Sequence, residues 1–368
     1  MLYDYMRNIG FIDQEISMIV CSHSVRRFRK ETLYDNVKSL FEYLISYGYS
    51  NINIVRMVKL HPGLCCYSSN IIKDKIEFLI GLGFTKEEVV KMTVVSPSMF
   101  GLSIENINSK ISNLKELGYT KVEIIKQIKG FPQLFNLSID NIRDVHMFFN
   151  NLGLNEEQVR KMIKFKPSLY GYKFSFLEEK ISIMIEIGYS KIDIVKMIRK
   201  FPNILALRIE HIKNRINEFE EFGYTKEEIF YITKTFPAIF SYDIEKMKEK
   251  FNEIVMLGYS YEDSKNIVLG LPSILGLNID TIREKKEFYD MIGLSEIFIV
   301  KPKYLMQSVE LSYARYMFYK ENGINIDVDN YLILFISQGD FYKKYKIDKL
   351  EILELYNYNK DCVLSKKK

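Results

Sequence analysis

The chain has 368 residues, 47% of them apolar and 27% charged, with 52 Lys and Arg against 47 Asp and Glu for a net charge of +5. These totals exclude a disordered chain, no run of apolar residues reaches the length that crosses a bilayer, and the mild basicity permits a polyanionic partner without demanding one. Cys21, Cys65, Cys66 and Cys362 form no C-x-x-C and no disulfide framework, which points to a reducing compartment.

The first residues, MLYDYMRNIG, lack the apolar core of a secretory signal. They also lack the character of an organelle presequence, since Asp4, Asp13 and Glu15 stand against Arg7 alone. The expectation is a cytoplasmic protein, with an organelle matrix as the alternative if a presequence precedes this chain.

A strict repeat then organises the sequence. Prolines at 62, 97, 132, 167, 202, 237 and 272 are 35 apart, and an eighth lies at 302. Glycines at 48, 83, 118, 153, 188, 223, 258 and 293 keep the same step, each of the first seven preceding its proline by 14. In chain order this predicts a degenerate N-terminal repeat or cap over 1–47, which lacks the proline and holds the basic stretch Val25-Arg26-Arg27-Phe28-Arg29-Lys30. Seven full repeats follow over 48–292, then a shortened repeat over 293–323, and finally a helical cap with a basic tail, Lys366-Lys367-Lys368, over 324–368. Atypical ends suit a stacked array, whose terminal units must cover an otherwise bare apolar face.

Within each repeat the residue after the glycine is Tyr, Phe or Leu, and the next is a helix N-cap: Ser50, Thr85, Thr120, Asn155, Ser190, Thr225 or Ser260. Three residues on come Asn53, Glu88, Glu123, Gln158, Asp193, Glu228 or Asp263, which completes a capping box where Glu or Gln follows Ser or Thr and a looser version elsewhere. The proline stops this first helix. A short apolar turn follows, and a second helix starts at Ser68, Ser103, Ser138, Asp243 or Asn278; Lys173 and Arg208 fill that place in two repeats and are poor caps. The glycine then provides the left-handed residue that closes the second helix. The fold class is all-α: stacked helical hairpins, because such hairpins cannot bury their apolar stripes alone.

Tetratricopeptide and pentatricopeptide repeats have a similar period but rely on small residues where helices cross, and this chain has three alanines. The stretches LGYTKVEIIKQIKGFPQLF (117–135), IGYSKIDIVKMIRKFPNIL (187–205) and FGYTKEEIFYITKTFPAIF (222–240) instead resemble the mitochondrial transcription termination factor (mTERF) family, over roughly residues 10–323. The resemblance implies a curved α-solenoid with two helices and a short 3-10 turn at the proline of each repeat. It also implies binding to double-stranded DNA, or in some members RNA, in the control of gene expression.

Two first-helix positions, eight and eleven residues after the glycine, carry most of the patterned charge. The first set includes Arg56, Lys91, Lys126, Lys161 and Lys196, with Tyr231 and Asn266 completing it. The second includes Lys59, Lys129, Lys164, Arg199 and Lys234, with Val94 and Leu269. Positions three apart share a helix face, and stacking would turn them into a ladder of cations suited to phosphates. Bases late and acids early also complement a helix dipole, so the residues alone leave both readings open; the resemblance favours nucleic acid. Arg26, Arg27, Arg29 and Lys30 either extend the track or form a solvated loop. A second basic column, Lys75, Lys110, Lys180, Arg215, Lys250 and Lys285, borders the second-helix apolar stripe, and is expected to cover core with its stems while its charges reach solvent.

No catalytic constellation, P-loop or dinucleotide fingerprint is present. His61 and His146 sit at mostly apolar positions and read as interior residues, His211 as exposed, and Cys65 and Cys66 as packing. Neither cofactor nor metal is expected. The partner expected is nucleic acid, duplex DNA favoured over RNA, bound by a monomer to regulate transcription, with no membrane and no small-molecule substrate; an RNA-processing solenoid or a protein-binding scaffold is the alternative.

Overall fold

The structure, a computed structural model, describes residues 1–358; Cys362 and the Lys366-Lys367-Lys368 end lie outside the described residues. Every element is helical among the described residues, as α-helices alternating with short 3-10 helices. By packing, the chain divides into two units, Met1–Ser182 and Ile183–Lys368.

The punctuation acts as the sequence predicts. In the Gly118 repeat the first helix runs Lys121–Gly130, with the Thr120 hydroxyl accepting from the Glu123 N–H at 3.3 Å and the Glu123 carboxylate accepting from the Thr120 N–H at 2.9 Å. Pro132 opens a 3-10 helix, Pro132–Asn136, and Ser138 caps the second helix, Ile139–Leu152. That helix ends at Gly153 with φ of 111°, a left-handed conformation that costs an L side chain roughly 1 kcal/mol or more. Arg208 precedes its helix, Ile209–Glu221, without a side-chain cap.

In the first unit, 3-10 helices Pro62–Cys66, Pro97–Gly101, Pro132–Asn136 and Pro167–Gly171 pack each on the next, and first helix Asn51–Leu60 packs on Lys86–Val95. In the second unit, Pro202–Ala206 packs on Pro237–Ser241, and first helices Lys191–Lys200, Lys226–Thr235 and Tyr261–Gly270 pack in succession.

Buried tyrosine hydroxyls are matched across repeats. The Tyr49 and Thr93 hydroxyls meet at 2.6 Å, and those of Tyr189 and Thr233 at 2.8 Å. The residue equivalent to these threonines beside Tyr119 is Ile163, and the Tyr119 hydroxyl turns instead to His146 Nε2 at 3.2 Å, which also meets the Tyr170 hydroxyl at 3.0 Å. Buried polar groups that lose one partner must find another. His146 is therefore an interior residue; His61 is half-buried against Tyr67, Cys65 is buried, and exposed His211 bonds the Phe240 carbonyl at 2.5 Å.

The second-helix basic column corrects the sequence expectation: most of its charges turn inward rather than reach solvent. Lys110, Lys180, Arg215 and Lys285 are buried. Lys75 donates to the Phe100 carbonyl, Lys110 to Phe135, Arg215 to Tyr242, and Lys285 to Leu305 and, at 2.8 Å, to Gln307. Each acceptor lies three or five residues after the proline of the next repeat, where a 3-10 helix leaves carbonyls unpaired. Lys250 instead pairs with Glu253 at 2.6 Å.

The ends hold more structure than the repeat predicts. Leu2–Ile9 forms a helix closed by Gly10 at φ 118°, so the degenerate unit over 1–47 opens with a lone second helix. Beyond Gly323, Tyr331–Phe335 forms a 3-10 helix without a proline, followed by helices Gln338–Tyr345 and Lys349–Leu355. Arg315 donates to the Leu334 and Ile336 carbonyls at 2.7 Å each, so this turn is held as the proline-started turns are.

Candidate nucleic-acid interface

The candidate residues lie on first helices whose buried stripe is set by residues such as Ile54, Met57 and Val58 or Ile194, Met197 and Ile198. Arg56, Lys91, Lys126, Lys161 and Lys196, eight residues after their glycines, are all exposed, as is Arg199. Among the described residues Arg56, Lys91, Lys126, Lys196 and Arg199 have no ion-pair partner; the i,i+4 contact open to Lys91 with Glu87 is not made. Lys161 does make its contact, with Glu157 at 2.7 Å.

The second position behaves differently, and the reason is the stagger between repeats. Lys129 pairs with Glu88 at 2.5 Å, Lys164 with Glu123 at 2.6 Å and Lys234 with Asp193 at 3.6 Å, and Lys59 pairs with Glu15. Each acid belongs to the preceding repeat and occupies its N3 capping position. One carboxylate thus serves two helices: Glu123 accepts from the Thr120 N–H through Oε2 and from Lys164 through Oε1. The Lys164 hydrogen bond, with the cap, pulls the Glu123 carboxyl down to about 2; Lys129 lowers Glu88 and Lys59 lowers Glu15 in the same way, while Asp193 is lowered first by the Ser190 hydroxyl and then by Lys234. Within each unit the first helices therefore carry two tiers, an outer one of cations that are unpaired apart from Lys161 and an inner one of lysines already matched to carboxylates.

Arg26 and Arg27 lie in a turn, with a guanidinium nitrogen of Arg26 2.9 Å from His23 Nδ1 and one of Arg27 3.0 Å from His23 Nε2, and Arg29 precedes helix Lys30–Tyr47. All three arginines are exposed.

Column counting at the two chosen positions passes over others. Three residues after the glycine stand Lys86, Lys121, Lys191 and Lys226, a recurrence visible in the sequence. Lys200 donates to the Lys234 and Thr235 carbonyls at 3.2 and 3.0 Å, bracing the end of the next first helix. Helix Lys191–Lys200 sets Lys191, Lys196, Arg199 and Lys200 against Asp193 alone, whereas the second helix Ile209–Glu221 sets Glu210, Glu218, Glu220 and Glu221 against Lys213 and a buried Arg215.

Among the described residues no cluster of His, Cys, Asp and Glu has metal-site geometry, and no helix is long and apolar enough to cross a membrane. No curated protein sequence matches the chain. The mTERF family model matches twice, over residues 2–183 and 172–342. That family is one of helical-repeat proteins associated with nucleic-acid binding and transcription termination, and is not typically enzymatic. With its hairpin-and-3-10 repeat and matches that together run from residue 2 to 342, the chain belongs to the mTERF family.

Proposed function

We propose that the exposed first-helix face binds the phosphate backbone of nucleic acid, duplex DNA in preference to RNA, and that the protein regulates transcription by occupying its site. The observation that carries this reading is the outer tier: Arg56, Lys91, Lys126, Lys196 and Arg199 are exposed and unpaired among the described residues, at positions where no repeat places an acid. Unpaired cations release condensed counterions from a polyanion at little cost, because no existing ion pair has to break. Lys59, Lys129, Lys161, Lys164 and Lys234 add to the potential of the face, but each must leave a carboxylate before it can bind a phosphate. Arg26, Arg27 and Arg29 extend the basic surface toward the N-terminus; the Lys30 side chain lies outside the described residues.

The test is a mobility-shift series with duplex DNA, single-stranded DNA and RNA across salt concentrations. About five phosphate contacts give a slope of log K against log salt near −4 to −5. A slope near zero overturns the reading, and tighter binding to RNA than to duplex DNA replaces the DNA assignment with an RNA one.

A further inference from the structure

The exceptions to the cationic pattern are not scattered. Of the four non-basic residues at the two ladder positions, Tyr231, Asn266 and Leu269 line one open groove of about 560 Å³ in the second unit. Its floor and walls are completed by Val300 and by Glu227 and Glu228. Tyr231 is 52% and Val300 60% exposed, so the groove presents apolar surface to solvent.

Glu228 occupies the same capping position as Glu15, Glu88 and Glu123. In those three the carboxylate accepts from the N-cap N–H through Oε2 and meets a lysine of the next repeat through Oε1. Glu228 also accepts from the Thr225 N–H through Oε2, at 2.8 Å, but the position that would supply the lysine holds Leu269. Oε1 has no partner among the described residues, and Glu227 beside it has none either. A carboxylate pair next to Tyr231, Leu269 and Val300 repels phosphate and attracts a cation that carries apolar surface.

We infer that this groove docks a short segment of a partner protein in which an arginine or lysine is flanked by aliphatic side chains. The cation takes the Glu228 Oε1 position that a neighbouring lysine fills in the sibling repeats, and the aliphatic flanks cover Leu269, Val300 and the Tyr231 ring. A site of this size holds several side chains, and it occupies ladder positions from which the cations are missing.

The test uses fluorescence anisotropy of the full chain with a labelled synthetic peptide, GLLRLLRLG, and its counterpart with glutamate in place of arginine. The arginine peptide is expected to bind with a Kd below about 100 µM and the glutamate peptide not to bind. Leu269→Lys supplies the missing cation from within the chain and is expected to weaken the peptide at least about tenfold, with an unchanged or raised melting temperature. Glu228→Gln, which keeps the cap acceptor, should weaken it similarly while leaving duplex binding no weaker. Failure of the arginine peptide to bind by about 1 mM, or equal binding to wild type and to either folded variant, overturns the inference.

Discussion

Lys164 Nζ lies 2.6 Å from Glu123 Oε1 across the junction of two repeats, so a residue that looks like a phosphate contact in the sequence is already a rivet between hairpins. Lys129 with Glu88 and Lys234 with Asp193 repeat the arrangement. On the proposed function, polyanion affinity and repeat-to-repeat cohesion therefore draw on the same lysines.

Glu123→Gln separates these roles. It keeps an acceptor for the Thr120 cap but releases Lys164 from its charge partner. Expected are a slightly lower melting temperature, a several-fold gain in duplex affinity, and a salt slope steeper by up to about one. An affinity unchanged by this substitution would mean that Lys164 lies off the binding track.

The two tiers differ in how they respond to loss. Replacing Arg56, Lys126 and Lys196 together by Gln is expected to cut the magnitude of the salt slope by two to three, at about one for each phosphate contact, with no loss of thermal stability. Replacing Lys129 and Lys164 by Gln is expected to lower the melting temperature as well. Parallel mobility shifts and thermal melts distinguish the two outcomes.

The acid limb of stability follows from the same carboxylates. Glu123 is held at about 2 against an ordinary value of 4.5, and Glu88 and Glu15 are lowered too. A depressed carboxyl contributes stability that is complete above its unfolded value and lost as pH falls through the folded one. Melting temperature should therefore fall progressively as pH drops from about 4.5 toward 2, less steeply in Glu123→Gln than in wild type.

His146 adds a second acid dependence at higher pH. Burial lowers its pKa, against the opposing pull of Glu156, so the folded protein holds the ring neutral between the Tyr119 and Tyr170 hydroxyls. The unfolded chain protonates near pH 6.5, so stability is complete above about 6.5 and declines below it. His146→Gln should abolish that part of the decline; a pH profile identical to wild type between 7 and 5 would remove His146 as its source.

Lys110→Met tests the carbonyl latch. It keeps the apolar stem but leaves the Phe135 carbonyl without its donor. A cost of about 1–3 kcal/mol is expected in denaturant unfolding, the range for a buried acceptor that loses a charged partner. Lys246→Met, an exposed lysine on a second helix, should change stability by less than about 0.5 kcal/mol.

The helices and their caps were legible because each is encoded locally: Thr120 and Glu123 are three positions apart, and Pro132 with Gly153 marks the ends of the elements between them. The orientation of Lys110 was not, because an amphipathic stem at the edge of an apolar stripe can send its amine outward or inward. Only the carbonyls of the next repeat decide which. The pairing of Lys129 with Glu88 was likewise hidden: periodicity aligns equivalent residues into columns but does not say which rows of different columns meet. The turn at Tyr331 escaped because the proline that marks its siblings is replaced there, while its acceptors for Arg315 remain.

The latch from Lys110 to the Phe135 carbonyl also shows what the array holds constant. Lys75 and Lys110 each reach a carbonyl 25 residues on, whereas Lys285 reaches that of Leu305 only 20 residues on, past the short helix Ile297–Val300. The first helix between donor and acceptor can therefore shorten while the amine still meets a carbonyl of the next 3-10 turn. Duplication or loss of one whole hairpin likewise returns every donor to an equivalent carbonyl, so such a chain can change length in evolution wherever a donor and the turn that receives it are both kept.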